Sequence, residues 1–265
     1  MFVPRELDRP SNPDRMLLPI VSVATVALMA PDALQSVGQL LDAAYPSSYA
    51  ERLMLGRQAQ LGNDLVYRPG AIGCTVDSAL TYGEYDLGFF SECVERALEG
   101  APATVPLTFV DVGSGVGRLT LAAALLWPQR FKRCAGVERV ASLHKLACDA
   151  ERRAAELLPA DAPVRQFVCG DAAEALSPTG ELADADVLFA YSSTWPSEGA
   201  GLSDFSAVCG TCLRVGSRVV TTDRQLCSVD GLWRFELLDS LEGVNHETGG
   251  TSVGYVHEVV QSRRE

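Results

Sequence analysis

The stretch Thr108–Leu126 reads TFVDVGSGVGRLTLAAALL. A short apolar run, Phe109 and Val110, ends in Asp111; glycines follow at 113, 115 and 117, and an Ala/Leu-rich helical pattern opens after them. The pattern predicts a strand, a tight turn and a helix N-terminus. Glycine in such a turn permits positive φ and lets a ligand lie against the backbone. A dinucleotide fingerprint reads G-x-G-x-x-G after its strand. Here the third glycine arrives one residue early and an acid stands two residues before the first, which disfavours a nicotinamide dinucleotide site.

Working outward, the period alternates between strand and helix, as an α/β sheet requires. Strands are expected at 108–112, 134–138, 164–169, 185–191, 217–223, 233–240 and 253–261, and helices at 116–127, 140–158 and 203–213. Upstream, 31–67 reads as helical, 68–83 as a loop or hairpin, and Glu84–Leu98 as a helix. The breaker Gly100-Ala-Pro-Ala-Thr-Val-Pro106 closes that region. The last two strands have no helix between them and suggest an antiparallel hairpin. The expected architecture is a Rossmann-like α/β sheet of seven strands, mostly parallel with an antiparallel last strand, behind an N-terminal helical extension. Three segments follow: an arm at 1–30, a helical lobe with a covering loop at 31–100, and the core at 101–265.

Composition fits one such domain. The 265 residues are 47% hydrophobic and 21% charged, enough for a sizeable core. A net charge of −12 disfavours direct nucleic-acid or anionic-membrane binding, and no Lys/Arg cluster offsets it. The eight cysteines are scattered and read as reduced, buried small hydrophobes of an intracellular protein, cytoplasmic or nuclear. Cys209-Gly-Thr-Cys212 has no second pair and no neighbouring histidine, so no metal site is expected, and His144, His246 and His257 read as structural. Met16–Ala30 outlines a secretory apolar run, but Glu6, Asp8 and Asp14 dilute its basic flank, and it falls short of the roughly 20 residues that span a bilayer. It is either a targeting segment or an arm over the domain.

In an open parallel sheet, ligands bind at the carboxyl ends of strands near the point where strand order reverses. Glu138 ends the second core strand and is placed to accept ribose hydroxyls. Asp171, in Cys169-Gly-Asp171, ends the third and either accepts from an adenine amino group or caps the following helix, two roles that do not exclude each other. Asp111 would hold the turn and neutralise an ammonium.

The early third glycine with its preceding acid is similar to the turn of class I S-adenosylmethionine methyltransferases. Thr81-Tyr82-Gly83-Glu84, upstream of Phe109-Val-Asp-Val-Gly-Ser-Gly-Val-Gly117 and followed by Gly136-Val-Glu138, resembles the disruptor-of-telomeric-silencing family of histone lysine methyltransferases. The resemblance spans roughly Leu80–Asp223. It implies S-adenosylmethionine as cofactor, held by Asp111, Gly113, Ser114, Gly115, Gly117, Glu138 and Asp171, with Tyr82 and Glu84 in a loop over its methionine end. It places Val187–Trp195 at the family's Asn-Asn-Phe segment beside the transferred methyl, so Tyr191 would meet the cofactor, and Tyr82, Glu84, Tyr191 and Trp195 would form the catalytic set. Tyr191 and Ser192 replace the family's amide pair, leaving the hydroxyls of Tyr191, Ser193 and Thr194 and the Trp195 wall to meet an acceptor. The expected activity is methyl transfer, to a protein lysine by the resemblance, or else to a small-molecule or other acceptor; a non-catalytic cofactor-binding module is the third reading.

Overall fold

The computed structural model describes residues 31–60, 81–158, 161–245 and 249–264. The arm at 1–30, residues 61–67 of the expected helical stretch, residues 68–80 of the expected 68–83 loop, Cys74 and His246 lie outside them. Helices α1 (Pro31–Ala44), α2 (Tyr49–Gln60) and α3 (Leu87–Leu98) precede the alternating part of the chain. That part runs β1 (Leu107–Val112), α4 (Arg118–Leu126), β2 (Phe131–Glu138), α5 (Ala141–Ala155), β3 (Val164–Cys169), α6 (Ala172–Leu176), β4 (Val187–Ala190), α7 (Ser203–Cys212) and β5 (Arg218–Thr222). A long hairpin, β6 (Arg234–Asn245) and β7 (Gly250–Gln261), ends it.

The seven strands form one sheet in the order β3-β2-β1-β4-β5-β7-β6. The first five are mutually parallel; β7 runs antiparallel to β5, and β6 antiparallel to β7. All six residues of β1 are buried, as a central strand covered on both faces demands. Alternate side chains supply two cores. Phe109, Phe131, Phe189 and Val220 pack with α1, α3, α4 and α5. Val110, Val137, Leu188 and Val219 pack with α6 and α7 on the other face. The helices of 31–98 thus share a core with the sheet.

The chain leaves β1 for β2 and β3 on one side, then returns to β4 on the other, so strand order reverses between β1 and β4. Local chemistry sets the helix starts there. The Asp86 carboxylate accepts the Phe89 amide at 2.7 Å, which moves the start of α3 from the expected Glu84 to Leu87. Within the stretch expected to be helical, Tyr45–Ser48 separates α1 from α2, with Glu51 accepting the Ser48 amide at 2.7 Å as the chain enters α2. β2 begins at Phe131, three residues before the expected Cys134, because Leu107 of β1 pairs there. The short α6 begins at Ala172, directly after Asp171, where the cap reading of that residue places a helix.

Candidate active site

The turn after β1 lies at the carboxyl ends of the parallel strands. Gly113 and Ser114 donate to the Val137 carbonyl at 2.9 and 3.1 Å, pinning the turn to β2. Gly117 caps α4 in the left-handed region, φ 81°, with no side-chain cap. A Cβ there would stand 2.4 Å from the Phe167 ring, so both conformation and space require glycine. The cleft above is lined by Thr81–Tyr85, Asp111, Gly113–Val116, Arg118, Glu138–Val140, Tyr191 and Trp195, among others.

Two buried carboxylates face this cleft. Glu138 accepts the Gly115 amide through Oε2 and the Val140 amide through Oε1, each at 2.8 Å. Burial raises its pKa while those two amides pull it back down. Each oxygen keeps lone-pair capacity for a further donor, as two adjacent ribose hydroxyls would need. Asp111 accepts from the Thr120 hydroxyl at 3.3 Å, and burial, reinforced by Glu138, pushes its pKa up to about 7. A buried acid with so little compensation is suited to a cationic ligand. Donor chemistry and the glycine-thinned backbone therefore fit a ligand bearing a ribose and an ammonium.

The Tyr82–Glu84 loop closes one side. Tyr82 is pressed between two glycines: a Cβ on Gly56 of α2 would fall 2.3 Å from its Cβ, and one on Gly115 would fall 2.8 Å from its ring. Its hydroxyl donates to Glu84 Oε1 at 2.7 Å, and Arg52 Nε donates to the same oxygen at 2.6 Å. Arg118 Nε lies 3.7 Å from Glu84 Oε2. Arg52 also stacks over Tyr45, 5.3 Å from the ring centroid, and the Tyr45 hydroxyl donates to the Val116 carbonyl at 2.8 Å. Arg52, Tyr45 and Arg118 did not emerge from the sequence reading. Arg118 carried a readable signal, its place immediately after Gly117; the other two are joined to the site only by folding.

Tyr191 and Trp195 line the other end. Tyr191 meets Tyr85 at 4.9 Å between ring centroids, and Tyr85 continues into Phe89 and Phe189 at 5.5 and 5.4 Å. Trp195 stands edge-on to Phe205 at 5.1 Å and borders Gly113. Tyr85 is a lining aromatic that the sequence reading passed over. Of the hydroxyls expected to meet an acceptor, Tyr191 lines the cleft, Ser193 is engaged elsewhere and Thr194 is exposed. Ser192 Oγ donates to the Thr222 carbonyl at 2.9 Å and Ser193 Oγ donates to Asp223.

The structure thus brings Tyr82, Glu84, Asp111, Gly113, Ser114, Gly115, Glu138, Tyr191 and Trp195 to one cleft, with Gly117 at its base. Asp171 is not among the residues lining it; its carboxylate accepts the Ala173 amide at 2.9 Å and caps α6. His144 and His257 lie on α5 and β7, outside the lining. The uniform burial expected of the cysteines is corrected at three positions: Cys169 is exposed where β3 ends, and Cys148 and Cys227 are half-buried. Among the described residues no cluster of His, Cys, Asp and Glu could hold a metal, and no helix is long and apolar enough to cross a membrane.

The strand order, the glycine turn and the acids at its flanks are similar to those of class I S-adenosylmethionine-dependent methyltransferases. Within that class the chain resembles one family in particular: the family model described as histone methylation protein DOT1 matches residues 74–159, about a third of the chain. No curated protein matches the sequence. Among solved structures it is similar to the rRNA methyltransferase aviRa from Streptomyces viridochromogenes, with 16% identity, a TM-score of 0.49, and coverage of 81% of this chain and 94% of that one. It is also similar to a SAM-dependent methyltransferase from Leishmania major, with 17% identity, a TM-score of 0.41, and coverage of 63% and 70%. A third is an arsenic(III) methyltransferase from Chlamydomonas reinhardtii, with 15% identity, a TM-score of 0.40, and coverage of 64% and 74%.

Proposed function

We propose that this chain transfers the methyl group of S-adenosylmethionine to the side-chain amine of a protein lysine presented between Tyr191 and Trp195. One observation carries the reading. The Tyr82-Gly83-Glu84 loop and the glycine turn, the two motifs of the resemblance, face each other across a single cleft, with the Tyr82 ring against Gly115.

The cofactor supplies a methyl group on a sulfonium, already activated for in-line displacement. Glu138 accepts the ribose hydroxyls, Asp111 neutralises the methionine ammonium, and Arg118 meets the carboxylate. The Tyr82–Glu84 loop shields the sulfonium from water. A lysine must arrive uncharged although its ordinary pKa is about 10.4, and the rings of Tyr85, Tyr191 and Trp195 favour the neutral amine by desolvating it. The protein then needs alignment more than a general base.

A second reading, transfer to a small-molecule acceptor, is favoured by the engagement of Ser192 and Ser193 with β5. That leaves the 191–195 segment with neither the family's amide oxygens nor free serine hydroxyls. The test is transfer of labelled methyl groups from S-adenosylmethionine to core histones, a lysine-rich peptide, ribosomal RNA and a small-molecule lysate fraction. Label in protein that survives acid hydrolysis as methyl-lysine supports the first reading. Label confined to small molecules supports the second. Label in neither overturns both.

A further inference from the structure

The segment Tyr191–Trp195 carries two lining aromatics on an irregular stretch beyond β4, and something must hold it. Ser192 extends the β4–β5 pairing by one step: its amide donates to Thr222 Oγ1 at 2.9 Å, and its hydroxyl accepts the Thr222 amide at 3.0 Å. Past that step the hold passes to Asp223. This is the only non-glycine residue with positive φ among those described, at 58°. Its carboxylate accepts Ser252 Oγ at 3.0 and 2.9 Å and the Val253 amide at 2.7 Å, while its own amide donates to the Val253 carbonyl at 2.7 Å. The same carboxylate accepts from Ser193 Oγ. One side chain therefore joins the loop after β4, the end of β5 and the antiparallel strand β7. Left-handed backbone in a non-glycine residue persists where the surroundings over-determine it, and it gathers at functional sites.

We propose that Asp223 is a positioning residue: through Ser193 it fixes the Tyr191–Trp195 segment against β7, and so sets where the two aromatics meet an acceptor. It does not line the cleft itself. The assignment rests on the proposed function for its catalytic consequence and on geometry alone for the clamp, so the two are tested separately. Asp223→Gly keeps the left-handed backbone and deletes the carboxylate; Asp223→Asn tolerates the same backbone and retains an acceptor oxygen.

Hydrogen exchange of the full chain, read on peptides covering 191–197, is expected to quicken by about tenfold in Asp223→Gly and to return close to the parent in Asp223→Asn. Calorimetric titration with S-adenosylhomocysteine should give affinities within about twofold of the parent in both, because Glu138 and Asp111 are untouched. Transfer to whichever acceptor takes label should fall about tenfold in the Gly variant and recover in the Asn variant. Exchange of 191–197 unchanged in the Gly variant overturns the clamp, whatever the transfer result. A faster-exchanging segment with transfer at the parental rate overturns the positioning role. Should no acceptor take label from the parent, the proposed function fails while the exchange result still decides the clamp. If the Gly variant does not fold, Ser193→Ala removes the same contact from its other end and is read the same way.

Discussion

Glu138 accepts the amide of Gly115 at 2.8 Å, which makes the end of β2 and the apex of the glycine turn one mechanical unit. Its other oxygen holds the amide of Val140, two residues beyond the strand. The residue expected to meet the ribose is thus also the residue that shapes the loop beneath it.

Replacing Glu138 with alanine should accordingly do two things. Cofactor affinity should fall by about 1.5–3 kcal/mol, the scale of hydrogen bonds to a charged group, and stability should fall by about 1–3 kcal/mol for each amide left unpartnered. Glu138→Gln keeps an acceptor for one amide and should recover part of the stability. Titration calorimetry and thermal melting separate the effects, and unchanged affinity in a folded alanine variant would place the ribose elsewhere.

Asp111 predicts a pH dependence. Burial raises its pKa from 3.8 to about 7, so between those values the folded protein holds a proton that the unfolded chain has released. Its contribution to the stability of the ligand-free protein is present below pH 4 and lost as pH rises through 7, on the order of 4 kcal/mol for a shift of this size. A cationic ligand prefers the ionised carboxylate. Affinity for S-adenosylmethionine should therefore rise from pH 6 to pH 8, with a proton released on binding near pH 7. Calorimetry in two buffers of different ionisation enthalpy measures that proton; Asp111→Asn should abolish its release and raise the melting temperature of the ligand-free protein at pH 8.

Gly117 and Gly216 form a matched pair. Both have positive φ, 81° and 89°, but a Cβ on Gly117 would strike Phe167 whereas one on Gly216 meets nothing within 4 Å. Gly216→Ala should cost about 1–2 kcal/mol for backbone strain alone, and Gly117→Ala about 2–4 kcal/mol because overpacking adds to it. Urea denaturation compares them. Equal losses would mean that the Phe167 ring moves aside freely.

Trp195 tests the acceptor end. Its ring packs on Phe205, so Trp195→Ala should lower stability by about 1–3 kcal/mol, leave cofactor affinity nearly unchanged and reduce transfer. A variant that binds cofactor normally and still methylates at the parental rate removes Tyr191–Trp195 from the active site.

The seven strands were legible because each couples a short apolar run to a local breaker, and the turn because glycine spacing and the flanking acid lie within seven residues. Glu138 followed by counting from that turn. The division of 31–60 into two helices was harder to read, since it depends on Tyr45 turning toward Val116 and on Ser48 meeting Glu51.

By itself the sequence determined the α/β alternation, the glycine turn and the carboxylates at its strand ends, each of which is encoded in a short run of neighbouring residues. Tertiary structure alone decided that Arg52 of α2 ties down Glu84, that Tyr85 backs Tyr191, and that Asp223 binds Ser193 to Ser252. These pairings join residues about thirty to a hundred positions apart. Contacts of that range leave no periodic trace in the chain, because they are fixed only when the strands pair and bring their carboxyl ends to one edge of the sheet.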